Sequence, residues 1–117
     1  MGKIEVYHNK RCTKSNQALH YLAEKGMEDI DVVLYLDNPI SSETAKKLVQ
    51  LLGEDYQELI RIPDAKKLGV EIPKEMSKEW VAKIIVEVPK VMQRPVVVAN
   101  GKAIIARPTE KIDLILV

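Results

Sequence analysis

The order of apolar and polar positions predicts that the chain starts with a strand, a helix and a second strand. Residues 4–7 alternate apolar and mixed side chains, which is typical of a strand, and the polar residues 8–11 form a loop after it. Helical spacing begins at Thr13, and Gly26 is a suitable C-cap for that helix. Residues 30–36 are almost continuously apolar, with one acidic break. We interpret them as a buried strand that lies parallel to the first and is reached by a βαβ crossover.

Two further helices are marked by their caps and stops. Ser41 is a suitable N-cap for a helix that Gly53 ends, and Ser77 is a suitable N-cap for a helix that Pro89 stops. A shorter helix is predicted near residues 64–68, inside an otherwise irregular stretch. The apolar positions that recur at helical spacing in the three longer helices are Leu19, Leu22 and Ala23, then Ala45, Leu48, Val49 and Leu52, then Trp80, Val81, Ile84, Ile85 and Val88.

The last third of the chain predicts a β-hairpin followed by a helix. Residues 96–99 and 103–106 are short strand-like runs, and Asn100-Gly101 separates them. This dipeptide favours a type I′ turn, because both central residues of that turn need positive φ. A final helix is predicted over residues 109–116. Together the elements predict an α/β fold in a single domain over residues 1–117: a four-stranded mixed sheet flanked by helices, with a helical insertion between the βαβ unit and the C-terminal hairpin.

Composition and charge narrow the function classes. A length of 117 residues with 46% hydrophobic residues fits one soluble globular domain, and a net charge of +1 argues against non-specific nucleic-acid binding as the main role. No apolar run is long enough to cross a membrane. Two histidines and one cysteine are too few for a closed zinc site, so we expect no bound metal. A lone cysteine without a secretion signal indicates the cytoplasm.

The strongest candidate for chemistry is that single cysteine, Cys12, at the predicted start of the first helix. Unpaired backbone N–H groups and the helix dipole favour an anion there, and such sites lower a thiol pKa from about 8.5 toward 3.5–7.5. Ser15 can aim its hydroxyl at the sulfur, and His8 can support the thiolate by a hydrogen bond or as a cation. The alternative is an inert buried thiol. A dithiol redox pair is excluded because position 15 is serine, and a phosphatase loop is excluded because Ala18 stands where that loop needs arginine.

The hairpin predicts a second functional feature, which is a pair of arginines. If Asn100-Gly101 is a two-residue turn, Ala99 pairs with Lys102, and the same register places Arg94 opposite Arg107. Side chains that lie directly opposite share a face, with Cβ atoms roughly 4.5–5.5 Å apart, so two like charges there are unfavourable unless an anion lies between them. Guanidinium groups match tetrahedral oxyanions, and we therefore infer an oxyanion clamp.

Alternatives to the clamp remain at this point. In the first alternative, one arginine forms an ion pair with a carboxylate such as Glu110. In the second, the strand pairing ends before it reaches the arginines. Arg94 and Arg107 each precede a proline, and a cis bond before Pro95 is compatible with a strand that begins there. Arg61 is a third candidate, but a lone arginine among aliphatic residues is equally well a surface residue with a buried stem.

The chain resembles the glutaredoxin-dependent arsenate reductase family, which has a thioredoxin-like fold. The resemblance covers nearly the whole length and rests on four motifs in order: the H-N-x-x-C-x-x-S loop, the L-I-R segment, the Q-R-P-V-V-V strand and the closing A-R-P. It implies that Cys12 attacks arsenate and that glutathione and then glutaredoxin resolve the adduct, with glutathione acting as co-substrate.

The resemblance also implies roles for individual residues. Arg61, Arg94 and Arg107 would bind the oxyanion, His8 and Ser15 would tune the thiolate, and Pro95 matches the cis-proline beside the cysteine.

Two positions depart from the usual family pattern, and two other functions stay open. Lys10 stands where the family usually has proline, and Asn16 stands where arginine is frequent. The first alternative is a thioredoxin-fold binding or regulatory module of the Spx type, although that group typically has a second cysteine where this chain has Ser15. The second is a glutathione-linked thiol reductase without arsenate activity.

Overall fold

The computed structural model describes residues 4–116, which divide into two compact units. The first unit comprises residues up to 38 together with residues from 94 onward, and the second comprises residues 39–93. The expectation of a single domain stays a prediction. Within residues 4–116, no helix has the length and apolar character needed to cross a membrane.

The first unit contains a four-stranded mixed sheet. Its strands are β1 (Ile4–Tyr7), β2 (Ile30–Val33), β3 (Val96–Ala99) and β4 (Lys102–Ile105), in the spatial order β2-β1-β3-β4. β1 pairs in parallel with β2 and antiparallel with β3, and β3 pairs antiparallel with β4. The predicted βαβ unit, C-terminal hairpin and four-stranded mixed sheet are therefore confirmed.

Two helical elements cover one face of this sheet because alternate strand residues and one helical face bury a common core. They are α1 (Thr13–Glu24) and a 3₁₀ helix (Thr109–Ile115). Burial of this apolar surface fixes the start of α1 against the sheet. The buried residues of the shared core are Ile4, Val6, Ala18, Leu22, Val97, Ala99, Ala106, Ile112 and Ile115.

The prediction of a buried strand over residues 30–36 is wrong in two respects. β2 ends at Val33, and the chain then turns, since the N–H groups of Asp37 and Asn38 both donate to the carbonyl of Leu34. Among the described residues β2 is also an edge strand that pairs only with β1, and Val32 in it is 42% exposed. A continuous apolar run does not distinguish a central strand from an edge strand, because it carries no information on the number of neighbours.

The hairpin has the predicted register. Ala99 pairs with Lys102 and Val96 with Ile105, and both Asn100 (φ 52°) and Gly101 (φ 73°) have the positive φ that a type I′ turn requires. β4 begins at Lys102, one residue earlier than the run at 103–106 indicated, because Lys102 forms the first pair after the turn.

The second unit is helical and fills the predicted insertion. It contains α2 (Ser42–Leu52), α3 (Ile62–Lys67) and α4 (Lys78–Glu87), with 3₁₀ turns at Gly53–Leu59 and Pro89–Val91. The predicted caps are confirmed: the Ser41 hydroxyl accepts from the N–H of Thr44, and the Ser77 hydroxyl accepts from the N–H of Trp80. The residues that form the buried face of α2 and α4 are Ala45, Leu48, Val49, Leu52, Val81, Ala82 and Ile85.

Candidate active site around Cys12

Cys12 is the N-cap residue of α1, at the point where the loop after β1 turns into the helix. Its backbone is extended (φ −98°, ψ 121°), and its carbonyl accepts the first helical hydrogen bond from Asn16 at 3.1 Å. Its own N–H donates to the carbonyl of Asn9 at 3.0 Å. The side chain is partly exposed. The thiol therefore lies beside the free N–H groups of the first helical turn and remains accessible to a small reactant.

The loop before Cys12 is held in place by Asn9 and Ser15. The buried Ser15 hydroxyl accepts from the N–H of Asn9 at 3.0 Å, and the Asn9 side-chain oxygen accepts from the N–H of Arg11 at 3.0 Å. The Asn16 amide donates to the carbonyl of Lys10 at 3.0 Å. Asn9 was not among the predicted site residues. The signal for it is an asparagine in a loop just before a helix, where its side chain can bond the backbone two residues on.

The two arginines predicted to face each other both reach the thiol. One further hydrogen bond follows the β3–β4 ladder, from the N–H of Ala106 to the carbonyl of Pro95 at 3.0 Å, and the chain then turns, since the N–H of Arg107 donates to the carbonyl of Ile105 at 2.8 Å. Arg107 Nε then donates to the carbonyl of Arg94 at 2.7 Å, and Arg107 Nη2 lies 3.5 Å from Cys12 Sγ. The Arg94 side chain also hydrogen-bonds the Cys12 sulfur. The Arg94-Pro95 and Arg107-Pro108 bonds are cis.

The net effect of these neighbours is a Cys12 pKa below that of an unperturbed thiol. Burial acts in the opposite direction and raises the pKa, because it disfavours the charged form. The backbone N–H of Ser15, the Arg94 side chain and the backbone N–H of Lys14 stabilise the thiolate and outweigh burial. The Ser15 group that reaches the sulfur is thus its main-chain amide. The tuning role predicted for its hydroxyl stays a prediction.

His8 follows β1 and lies in the wall of the loop. Its side chain is 5% exposed, and burial together with the nearby Lys10 charge lowers its pKa below 6.5. At neutral pH the imidazole is therefore uncharged, which favours the predicted hydrogen-bonding role over the predicted cationic one.

Arg61 belongs to the second unit and is described there by its own contacts. It is the N-cap residue of α3, its N–H donates to the carbonyl of Val91 at 2.7 Å, and its guanidinium lies 3.3 Å from the Asp64 carboxylate. The guanidinium is about a quarter exposed, so it is not a simple surface group. Its predicted role in oxyanion binding stays a prediction.

We expect the Cys12 thiolate to form at a lower pH than the thiolate of a free cysteine, and we expect Arg94→Ala to raise the pH at which it forms. Arg94 stabilises only the charged form, so its loss shifts the balance toward the thiol. The rate of alkylation by iodoacetamide against pH measures this pKa directly. A depressed folded-state pKa also stabilises the fold at pH values above the unfolded-state pKa of the thiol, and this contribution is lost as the pH falls through the folded-state pKa. Identical alkylation profiles for the two proteins would contradict the assignment.

The described residues also bear on metal binding. Within residues 4–116, no group of three or more histidine, cysteine, aspartate or glutamate side chains is arranged to hold a metal ion. The groups that contact the Cys12 sulfur are main-chain amides and two guanidinium groups. Together with the four-stranded sheet, this site defines a thioredoxin-like α/β protein that carries one activated cysteine at the start of its first helix.

Comparison with known proteins identifies the family to which the chain belongs. The sequence model of the ArsC family matches residues 7–115, and the chain belongs to that family. An arsenate reductase of Neisseria meningitidis is 36% identical over 99% of this chain and 100% of its own length. The solved arsenate reductase from Vibrio cholerae superposes with a TM-score of 0.81 at 32% identity, over 97% of this chain and 98% of its own. These results confirm the predicted family resemblance and the thioredoxin-like fold.

The name of one similar relative states no activity. The uncharacterized protein YfgD of Escherichia coli (strain K12) is 41% identical over 94% of this chain and 93% of its own length. Family membership therefore supports an oxidoreductase of the arsenate reductase type, and the substrate has to be argued from the site.

Proposed function

We propose that the protein reduces an oxyanion, and specifically arsenate to arsenite, through a covalent adduct on Cys12. The observation that carries the proposal is the contact of both Arg94 and Arg107 with a thiol whose pKa is lowered. Two fixed guanidinium groups beside a thiolate can bind the oxygens of a tetrahedral anion while the sulfur approaches its central atom. The names of the relatives from Neisseria meningitidis and Vibrio cholerae support arsenate as that anion.

In the first step the Cys12 thiolate attacks arsenic. A sulfur–arsenic bond forms and one arsenic–oxygen bond breaks, and the leaving oxygen takes up protons and departs as water. Arsenic remains in the +5 state in this adduct. Arg94 and Arg107 stabilise the negative charge of the arsenate oxygens, and the main-chain amides of Lys14 and Ser15 keep the attacking sulfur deprotonated.

In the second step an external thiol completes the reduction. The glutathione sulfur attacks the Cys12 sulfur, a disulfide bond forms, and the sulfur–arsenic bond breaks with its electron pair left on arsenic. Arsenic is thereby reduced to arsenite, while Cys12 and glutathione are oxidised to a mixed disulfide. A glutaredoxin thiol then attacks that disulfide and releases Cys12. An external thiol is required because the chain has no second cysteine.

The proposal also includes the role of Arg61 and the cellular location that the family resemblance implies. Arg61 would contribute to oxyanion binding, and the reaction would take place in the cytoplasm, where glutathione keeps thiols reduced. No bound organic cofactor takes part in these steps.

The test is an arsenate-reduction assay in which each component is omitted in turn. We expect arsenite formation with glutathione and glutaredoxin, and a glutathione–Cys12 mixed disulfide by mass spectrometry when glutaredoxin is left out. Reduction of a glutathione-mixed disulfide without any arsenite would favour the general thiol reductase instead. A thiol that binds no oxyanion and shows neither activity would favour the binding module.

A further inference from the structure

A cavity lies against the loop that precedes Cys12, and we call it the His8 pocket. It is formed by residues 8–11, which follow β1, and by Leu34, Leu36 and Asp37, which follow β2, and its volume is about 300 Å³. β1 and β2 are parallel, so both segments emerge at the same edge of the sheet. Crevices at the carboxyl ends of parallel strands are frequent ligand sites.

The charged groups of the His8 pocket favour an anion. Lys10 and Arg11 contribute two positive charges, and Asp37 contributes one negative charge. The Lys10 ammonium lies 3.6 Å from the Asp37 carboxylate, and these side chains are 68% and 58% exposed. Exposed ion pairs of this kind are weak, so a ligand carboxylate can replace Asp37 as the partner of Lys10.

The buried histidine provides a second, independent indication of a ligand. His8 Nδ1 is buried and has no hydrogen-bond partner among residues 4–116, whereas buried polar atoms are normally paired. His8 is one of the residues that line the pocket. A ligand or a ligand-bound water that reaches this wall would satisfy the free nitrogen.

The His8 pocket is next to the nucleophile in the chain. Arg11 immediately precedes Cys12, so their Cα atoms are about 3.8 Å apart. The Asn9 carbonyl accepts from the N–H of Cys12, and the Asn9 side chain accepts from the N–H of Arg11. The same fixed loop therefore provides both the wall of the pocket and the reactive sulfur.

A larger groove beside Cys12 has the wrong charge for an anion. It has a volume of about 550 Å³ and runs along α1 from Thr13 to Glu24, with Glu110 on its other side. Its carboxylates are Glu24 and Glu110, and its histidine, His20, is paired with Glu24. Size favours this groove, but the two carboxylates repel an anionic ligand.

We propose that the His8 pocket binds the carboxylate groups of the small anionic thiol that resolves the Cys12 adduct, a thiol of the glutathione class. Lys10 and Arg11 pair with its carboxylates, and His8 bonds its polar backbone. This inference rests on the proposed function, since it names the binding site of the co-substrate of that reaction. It also gives Lys10, which replaces the usual family proline, a role in selecting the reducing thiol.

Binding is tested first with S-methylglutathione, which cannot react and requires no arsenate turnover. In an NMR titration we expect saturable amide shifts at residues 8–11 and 34–37, with an affinity about tenfold weaker in the Lys10→Ala/Arg11→Ala variant. Lys102→Ala, which removes an exposed positive charge at the tip of the hairpin, should bind as the wild type does. Shifts confined to the α1 groove, no saturable shift, or equal binding by the double variant would overturn the proposal.

Kinetics then separate the pocket from general effects on the thiolate. In the arsenate assay, the double variant should raise the KM for glutathione about tenfold, with an unchanged kcat and an unchanged rate with the uncharged thiol 2-mercaptoethanol. An equal loss with both thiols would overturn the pocket and indicate a change at Cys12. If no arsenite forms at all, the proposed function fails, while the NMR titration still decides whether the His8 pocket binds an anionic thiol.

Discussion

Cys12→Ser should reduce arsenate reduction by at least about three orders of magnitude, to the background rate. A serine hydroxyl at this position remains protonated at neutral pH, and the same amides and guanidinium groups cannot bring it to an anionic form. No other thiol is present to replace it, because the chain has a single cysteine. The measurement is the initial rate of arsenite formation with glutathione and glutaredoxin at saturating concentrations.

Two controls distinguish the loss of the nucleophile from a loss of the fold in Cys12→Ser. The circular dichroism spectrum and the urea midpoint of Cys12→Ser should stay close to those of the wild type, since the substitution changes one partly exposed atom. The wild type should form a glutathione adduct on mixing with arsenate and glutathione, and the variant should form none. Arsenate reduction that persists in Cys12→Ser would show that the sulfur is not the nucleophile.

Arg94→Ala and Arg107→Ala should each raise the KM for arsenate by about ten- to a hundredfold. Each variant loses one charged hydrogen-bond donor to the anion, and such a bond is worth about 1.5–3 kcal/mol. Arg94→Ala should also move the pH dependence of the rate to higher pH, because Arg94 lowers the Cys12 pKa.

The matched variants sharpen this prediction. Arg107→Lys keeps the charge but loses the fork that donates to the Arg94 carbonyl and to the thiol, so it should recover only part of the affinity. Lys102→Ala removes the same charge from the same hairpin and should leave the KM for arsenate unchanged. A KM that stays at the wild-type value in both arginine variants would refute the oxyanion clamp.

The parts of the fold that could be predicted from the sequence are those that depend on neighbours in the chain. Ser41 and Ser77 cap their helices because a serine at an N-cap bonds an amide a few residues later, and the sequence alone contains both partners. The hairpin register was predictable for the same reason, since Asn100-Gly101 determines the turn type and the turn type determines every pair that follows.

The errors and omissions concern contacts between distant segments. The edge position of β2 depends on where the hairpin inserts, and no local pattern reports that. The proximity of Arg94 and Arg107 was predictable, but their contact with Cys12 depends on β1 and β3 being neighbours. The lowered pKa of His8 also depends on burial in the folded chain, so the sequence left its charge state open.

The type I′ turn makes the composition of the site depend on the length of the chain at the tip of the hairpin. Five residues stand between Arg94 and Asn100, and five stand between Gly101 and Arg107. If the two-residue turn is kept, inserting one residue after it would retain every site residue in the sequence, yet it would reverse the faces of the β4 side chains and shift Arg107, which follows β4, out of register with Arg94. Surface turns ordinarily tolerate such insertions. Here the length of the turn determines the relative position of Arg94 and Arg107, although the turn contacts neither of them.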